Sequence, residues 1–585
     1  MQAKPESIGR MVGRLWAHVE PRRRREFGFL MALTVAASMT EVLSIGAVLP
    51  FLAALANPDK VFANRFAQPF VDMLGLTAPA QIVLPLTILF CAAGLLAGAT
   101  RILLLRVSLR LSFGVGADIS NAVYRRTLHQ PYSVHIARNS SEIINGISIK
   151  TNEVIFYVIM PGMILLSAAF MTLAIVGALS TFIPLAALLA FAVFGAFYGI
   201  LIKNLRRRLK SNSERIARES TNGIRYLQEG LGGIRDILID GTQDAFCATF
   251  RASDAALRDA QRNNQFIAQS PRYVMESAGM VLIAVIAFVL SRGSSGVTNT
   301  IPMLAALALG LQRLLPALQQ GYQAWSTIQG AQDSLRDTLV LLDQQMPAAP
   351  AEVDAIAFNR EICIDRVSFR YTPTSPWILK DVRIVIPKGG RIGFVGTTGS
   401  GKSTLLDIVM GLLTPSAGDL LVDGVAITPA RLASWRLHIA HVPQSIFLTD
   451  ASVRENIAFG VPPGQIDDAA VRLAASSAQI GAAIDSWPDG YDTIVGERGV
   501  QLSGGQRQRI GIARALYKKA DVIVFDEATS ALDSATEEEV MKSIESLSDE
   551  ITILIIAHRL STLKNCSQVI ELQKQNAAPV PIATS

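Results

Sequence analysis

The chain has 585 residues, half of them apolar, and a formal net charge of +6. Its length points to several domains, and its charges are too unevenly spread for a single soluble body: the first part holds long charge-poor stretches, while from about Asp354 onward the composition is that of a soluble α/β protein. The four cysteines, Cys91, Cys247, Cys363 and Cys566, show no CxxC spacing, which excludes a disulfide framework and a cysteine-built zinc site.

That division reads as a membrane domain followed by a cytosolic one. The basic N-terminus leads into no cleavable apolar stretch with a small-residue cut site, so no signal peptide is expected. Ile8, Met11, Val12, Leu15, Trp16 and Val19 recur at helical spacing. They predict an amphipathic helix on the membrane surface with Trp16 as interfacial anchor, or else a solvated helix docked on protein. The run Arg22–Arg25 then marks the cytoplasmic side. A nucleic-acid reading of this run and of Arg206–Arg208 is less economical, because both flank apolar stretches.

A helix crosses the hydrocarbon in about 20 apolar residues. Six stretches qualify: Phe27–Leu55, Ala80–Leu105, Ile155–Leu179, Phe182–Leu201, Val274–Leu290 and Met303–Leu318. With the N-terminus inside, six crossings return the chain to the cytosol. Arg101, Arg106, Arg110 and Arg125–Arg126 follow the second span, and Lys203 with Arg206–Arg208 the fourth, as positive-inside topology requires. The inward loops, about Ser108–Asn152 and Asn204–Ser270, are too long to lack structure. They are expected to prolong the spans, each with a short reversal helix at its tip, near His129–Glu142 and Gln228–Asp240.

Glu41, Glu276 and Arg313 fall inside spans, where an ionisable group needs a partner or a cavity. Interhelical pairing is the expectation for Glu41 and for Glu276, the latter with Arg272. For Arg313, pairing and contact with a charged headgroup stand level. The Pro/Ala-rich stretch Gln344–Glu352 has no periodicity and reads as the joint between domains.

Beyond it, Glu361–Tyr371 alternates like a strand, and Tyr371 at its end is placed either to pack on the core or to stack on an adenine ring. The apolar run Arg391–Val395 enters Gly396-Thr397-Thr398-Gly399-Ser400-Gly401-Lys402-Ser403, and Thr404–Met410 follows at helical spacing. Glycines let successive N–H groups turn inward toward phosphate oxygens, and the following helix adds its positive N-terminal end. Lys402 suits the β- and γ-phosphates of a nucleoside triphosphate, and the Ser403 hydroxyl suits Mg²⁺. The buried strand pattern Ala520–Phe525 ends in Asp526-Glu527. Asp526 is placed to hold Mg²⁺ through water, and Glu527 to orient or deprotonate an attacking water. A second buried strand, Ile551–Ala557, ends in His558, on the edge where open α/β sheets bind ligands. His558 is either a γ-phosphate contact or a satisfied structural imidazole.

Leu502-Ser503-Gly504-Gly505-Gln506, continued by Arg507–Leu516, resembles the signature sequence of ATP-binding cassette proteins. The soluble half matches that family in order over about Ile356 to Ile570. Tyr371 matches the A-loop, Gly396–Ser403 the Walker A loop, Gln444 the Q-loop, Asp526-Glu527 the acidic pair, Ser530–Asp533 the D-loop and His558 the switch histidine. With six spans ahead of it, the chain is similar to an exporter-type half-transporter. The resemblance implies a membrane α-helical bundle (six transmembrane helices, exporter type) fused to an α/β P-loop nucleotide-binding domain. It implies ATP and Mg²⁺ as cofactors, with Gly396 to Thr404 around the nucleotide and Ser403, Gln444 and Asp526 around the metal. Ser503, Gly504, Gly505 and Gln506 would close on the ATP of the opposite subunit, so the working unit is a homodimer or a heterodimer with a sister chain. The expected domains are 1–335 (interfacial helix and spans), a linker 336–355, the nucleotide-binding domain 356–572 and a disordered tail 573–585.

The membrane half is similar to bacterial flippases for polyprenyl-pyrophosphate-linked oligosaccharides, in Ser270–Glu276 and Gln312–Pro316, and the short end after Leu572 fits that group. The similarity implies a bacterial inner-membrane protein with its nucleotide-binding domain in the cytoplasm. A pyrophosphate headgroup would suit arginines such as Arg101, Arg106 and Arg313. Exporters of other lipids, drugs or peptides form the alternative. A soluble cassette acting on DNA or ribosomes is disfavoured by the spans.

Overall fold

The structure, a computed structural model, describes residues 6–64, 67–182, 184–291, 297–346, 356–496, 499–527, 537–538, 550–556, 563, 566–573 and 580–582. The chain divides into two compact units: Met1–Gln130 with Arg138–Pro347, and Ala348–Ser585 with the short segment Pro131–Ala137.

The first unit is helical. Among the described residues three stretches are long and apolar enough to cross a membrane, Pro21–Leu55, Pro79–Leu128 and Ser140–Gly177. The other three expected spans fall on the helices Pro184–Gly232, Pro271–Ser291 and Val297–Gly330, parts of which lie outside the described side chains. The helix Val83–Leu128 has 46 residues, a length of about 69 Å and roughly twice a hydrocarbon core. It therefore carries its span well into the aqueous phase. Short helices sit at the loop tips as the pattern predicts, Tyr132–Ala137 in the segment grouped with the second unit and Ile234–Asp240 in this one. The second tip is apolar but bare: Leu231 and Ile239 are each 71% exposed, and only Ile237 turns inward.

The N-terminal helix Ile8–His18 uses its apolar stripe differently from the membrane-surface expectation. Met11 and Leu15 are buried in one cluster with Leu30, Leu111, Leu335 and Leu339. The stripe is spent on protein, leaving Trp16 partly exposed against Phe27. The same cluster corrects the linker boundary. Leu335, Leu339 and Leu342 form an i, i+4, i+7 stripe that keeps Gln332–Leu342 helical and packed, so the joint begins after residue 342 rather than at 336. Glu41 pairs between helices as expected, with Arg101 at 2.7 Å, whereas Glu276 takes the expected partner Arg272 within one turn of its own helix, at 2.7 Å.

The second unit holds two sheets. Strands β1 (Glu361–Phe369), β2 (Leu379–Pro387), β4 (Ala417–Val422) and β5 (Val425–Ala426) form an antiparallel sheet in the order 2-1-4-5. Strands β3 (Arg391–Val395), β6 (Ile439–Val442), β7 (Val522–Asp526), β8 (Thr552–Ile556), β9 (Gln568–Glu571) and β10 (Val580–Ile582) form the other, in the order 10-9-3-8-7-6. Five of these run parallel, and β3, β7 and β8 are almost wholly apolar because a parallel sheet is covered on both faces. Register brings Phe394 and Asp526 level with Ile556, so the carboxyl ends of three strands open together.

β10 lies in the tail expected to be disordered. Val580, Pro581 and Ile582 pair with Glu571, Ile570 and Val569, adding an antiparallel edge to β9. An edge strand tolerates the proline, whose missing N–H faces outward; a polar composition around it hid a three-residue apolar strand.

Met11→Ala should lower the thermal midpoint of the detergent-purified protein by several degrees, because emptying a fully buried methionine site costs about 2–5 kcal/mol. Trp16→Ala, on the outer face, should move it by less than a third as much. Equal shifts would return the helix to the membrane surface.

Candidate functional site

Strand β3 delivers the chain to the phosphate-binding turn in backbone conformations that side chains resist. Gly396, Gly399 and Gly401 have φ of +146°, +82° and +94°. A Cβ on Gly396 would lie 2.3 Å from the carbonyl oxygen of Leu572, and one on Gly401 2.9 Å from Leu379 Cδ2. The turn can therefore close only with glycine at these points. Helix Lys402–Val409 begins at once, and its first-turn amides have no preceding carbonyls to bond.

Lys402 is buried, and its ammonium donates to the carbonyls of Gly396 (2.7 Å) and Thr397 (3.3 Å), which hold it folded back over the turn. Ser400 is also buried, and its hydroxyl has no hydrogen-bond partner. A buried hydroxyl without a partner, orphan amides and a retracted cation form a donor set that an anion would complete.

The acidic pair closes the other side. Asp526 ends β7 and accepts a hydrogen bond from the Ser403 hydroxyl; burial and the neighbouring Glu527 charge raise its pKa, while Ser403 and Lys402 pull it down. Glu527 sits at φ +52°, a conformation a non-glycine residue enters at a cost, and its amide donates to the Ile556 carbonyl at the end of β8. Its carboxylate accepts from Gln444 Nε2 at 2.7 Å. The Ser403 hydroxyl beside the Asp526 carboxylate is a hard-oxygen pair of the kind Mg²⁺ selects, and no cluster of three or more metal-ligating side chains exists elsewhere among the described residues.

Tyr371 lies beyond β1 with its ring half exposed, 5.1 Å from Phe369, and its phenol bonds Thr404 Oγ1 at 3.2 Å. Asp407 escaped the sequence reading. Burial, and next the charge of Asp526, push its carboxyl up to about 6. The available signal was an acid on the inner side of an otherwise apolar helix, Leu405 to Val409.

The signature residues form a separate helix start. Ser503 caps the helix Gly504–Tyr517: its hydroxyl accepts from the Gln506 amide (3.2 Å), while the Gln506 side chain accepts from the Ser503 amide (2.8 Å). Among the described residues no hydrogen bond joins this cap to the Gly396–Thr404 turn. Asp533 and His558 lie outside the described residues.

In the first unit a cavity of about 760 Å³ lies between the helices Pro21–Ala56, Val83–Leu128, Met160–Phe182 and Val297–Gly330. Arg101 lines it; Arg106, five residues further and so about 140° around the helix, is exposed outside it. Gln312 lines it as well, while the Arg313 side chain lies outside the described residues.

Two family models match consecutive parts of the chain: the ABC transporter transmembrane region over 27–311 and the ABC transporter domain over 379–530. This chain is an ABC exporter half-transporter. Similar proteins include an ATP-dependent lipid A-core flippase of Cupriavidus metallidurans, 29% identical over 97% of this chain and 92% of the relative. The heterocyst differentiation ATP-binding protein HepA of a Nostoc species is 32% identical over 64% of this chain and 61% of that one. Among solved structures, a bacterial Atm1-family ABC exporter with ATP bound matches at 25% identity and a TM-score of 0.75, covering 91% of this chain and 94% of its own. The half-transporter is thus a membrane-embedded, ATP-binding protein whose ATP hydrolysis is coupled to transport.

Gly396→Ala should weaken binding of a fluorescent ATP analogue at least tenfold, because the turn must open to relieve the contact with Leu572. Asp407→Asn gives a pH signature. The fold favours the neutral acid, so its contribution is present below about pH 4 and becomes a cost of about 3 kcal/mol as pH rises through 6. In nucleotide- and Mg²⁺-free protein the variant should be more stable than wild type at pH 8 and indistinguishable from it near pH 4.

Proposed function

We propose that two copies of this half-transporter use Mg²⁺-ATP to move a lipid-linked glycan, a polyprenyl-pyrophosphate-linked oligosaccharide or a similar lipid, across a bacterial inner membrane, with the nucleotide-binding unit in the cytoplasm. The observation that carries the reading is the conjunction, in one chain, of a nucleotide turn flanked by an acidic pair and a membrane bundle enclosing a headgroup-sized cavity. The names of the flippase relatives support a lipid as cargo.

At the nucleotide, Lys402 and the turn amides hold the β- and γ-phosphates, and Tyr371 stacks on the base. Ser403, Asp526 and Gln444 would hold Mg²⁺, which neutralises phosphate charge when bound. Glu527 accepts a proton from the attacking water. One of its oxygens accepts a hydrogen bond from Gln444 Nε2. That bond fixes the Glu527 carboxylate beside Gln444, the residue proposed to share the Mg²⁺. His558 is proposed as the γ-phosphate contact, and Asp533 as part of the seam between copies.

Pairing is supported by what one copy leaves unfinished. It carries one phosphate turn and one signature helix, on separate parts of the same unit. The tip residues Leu231, Ile234, Leu238 and Ile239 are exposed on the helical unit, and Phe447 and Phe459 on the other. Bare apolar surface of this kind marks an interface, and a second copy offers matching ones.

Proteoliposomes loaded with a fluorescent glycolipid provide the test. Wild-type protein should move it in an ATP-dependent manner, and Glu527→Gln should slow movement at least a hundredfold, the usual scale for losing a general base. Equal rates would remove ATP-driven flipping. Co-expressed copies carrying two different tags should co-purify if the dimer is homomeric.

A further inference from the structure

Among the described residues the cavity in the helical unit offers a phosphate no uncommitted charge. Among the described residues Arg101 is the only charged group in its lining. The guanidinium is ion-paired at 2.7 Å to Glu41, whose side chain is only 2% exposed. A carboxylate so buried cannot be left without its counter-ion except at high cost, so Arg101 is committed to it. With Glu41 behind it, the described lining offers no uncompensated charge. A pyrophosphate brings about two negative charges, one per phosphate, and placing them in an uncompensated low-dielectric cavity is unfavourable.

The rest of the polar lining is neutral and two-faced. The hydroxyls of Ser108 and Ser167 and the carboxamides of Gln312 and Gln320 have no hydrogen-bond partner among the described residues. Each can both donate and accept. The hydroxyls of Thr34 and Ser38 donate to carbonyls of their own helix, at 2.8 and 3.0 Å, and so face the cavity only as acceptors. The Ser112 hydroxyl donates to the Met163 sulfur at 3.4 Å, and leucines, methionines, alanines, Ile164 and Pro316 fill the remaining wall. Mixed donors and acceptors set among apolar patches complement a sugar, whose hydroxyls donate and accept and whose ring faces are apolar. An anion would use only their donor half and leave their acceptor oxygens unsatisfied.

We infer that this cavity receives the sugar of the transported amphiphile and not its phosphate; the inference rests on the glycolipid reading above. Ser108, Ser167 and Gln320 are then specificity-determining residues, and the Glu41–Arg101 pair keeps the cavity neutral so that sugar-free anionic lipids are not taken up.

The test is ATPase stimulation of the full-length protein in phosphatidylcholine vesicles, titrated with a polyprenyl pyrophosphate carrying a disaccharide and with the same lipid lacking it. The ratio of the two half-stimulating concentrations is the readout. In wild type the disaccharide form should act at a concentration at least tenfold lower. Ser167→Ala and Gln320→Leu should bring the ratio toward one. Glu41→Gln, which leaves Arg101 uncompensated, should lower the half-stimulating concentration of the bare pyrophosphate. If that variant fails to fold, the two lining variants still decide the matter. Equal potency of the two lipids in wild type overturns the inference and leaves lipid transport standing, and a ratio untouched by the lining substitutions also overturns it. Steady ATP hydrolysis that answers to neither lipid overturns the glycolipid reading and this inference together.

Discussion

The nucleotide site depends on a steric constraint at the end of β3. The carbonyl of Leu572 comes so close to Gly396 that a single added carbon would lie 2.3 Å from it. Leu572 in turn donates its amide to the carbonyl of Val395, so the two chains are locked in that approach. Because Gly396 can pass, the chain doubles back within a few residues, Lys402 folds over the turn and the next helix starts with its amides free. Because β7 and β8 lie in parallel register beside β3, Asp526 and Glu527 arrive at the same edge without any long-range search. The geometry of the site follows from how a parallel sheet ends.

The helical unit answers a different constraint, the cost of charge in hydrocarbon. It meets that cost by pairing. Glu41 with Arg101 joins two helices, and Glu276 with Arg272 closes one turn. The same economy holds in the helical region beyond the spans. There Lys150, buried, pairs with Asp337, and Asn145 donates to Thr221 at 2.8 Å. Together these contacts tie the helix of the third span to Gln332–Leu342, the last helix before the joint, and to the long helix Pro184–Gly232. Polar contacts between apolar surfaces fix which residues face each other, because a slip would leave a charge buried alone.

Much of this was legible in the sequence where local chemistry dictates structure. A glycine pattern between a strand and a helix admits one turn, and an apolar run of strand length ending in two acids admits one placement of those acids; both Gly396–Ser403 and Asp526–Glu527 sit accordingly. Tip helices were readable because a long loop that keeps helical spacing must still reverse. What failed was whatever tertiary contact decides. Met11 and Leu15 form the same stripe whether a membrane or Leu335 covers it. Val580–Ile582 has too few residues to advertise a strand, and its pairing is set by the free edge of β9. Asp407 looked like any helical acid until its depth and its distance from Asp526 were known. Likewise the arginines near the second span invited an anionic headgroup, since sequence cannot say that Arg101 already has a carboxylate.

That compensated arginine bears on how transport could cycle. A cavity that gripped a pyrophosphate through free guanidinium groups would gain affinity from strong charge-assisted contacts, and the same contacts would have to be broken at release on the far side. Hydroxyls and carboxamides make weaker, exchangeable bonds, and water replaces each of them at little net cost once the cavity opens. The energy delivered by hydrolysis then goes into reshaping the helices rather than into tearing an ion pair apart. A ligand shifts a conformational equilibrium only by its differential affinity for the two states, and many small contacts that are all present in one arrangement and all hydrated in the other supply that difference without trapping the cargo. The neutral lining and the buried Glu41–Arg101 pair are therefore two aspects of one device: the pair removes the strong contact, and the lining substitutes several that can be let go.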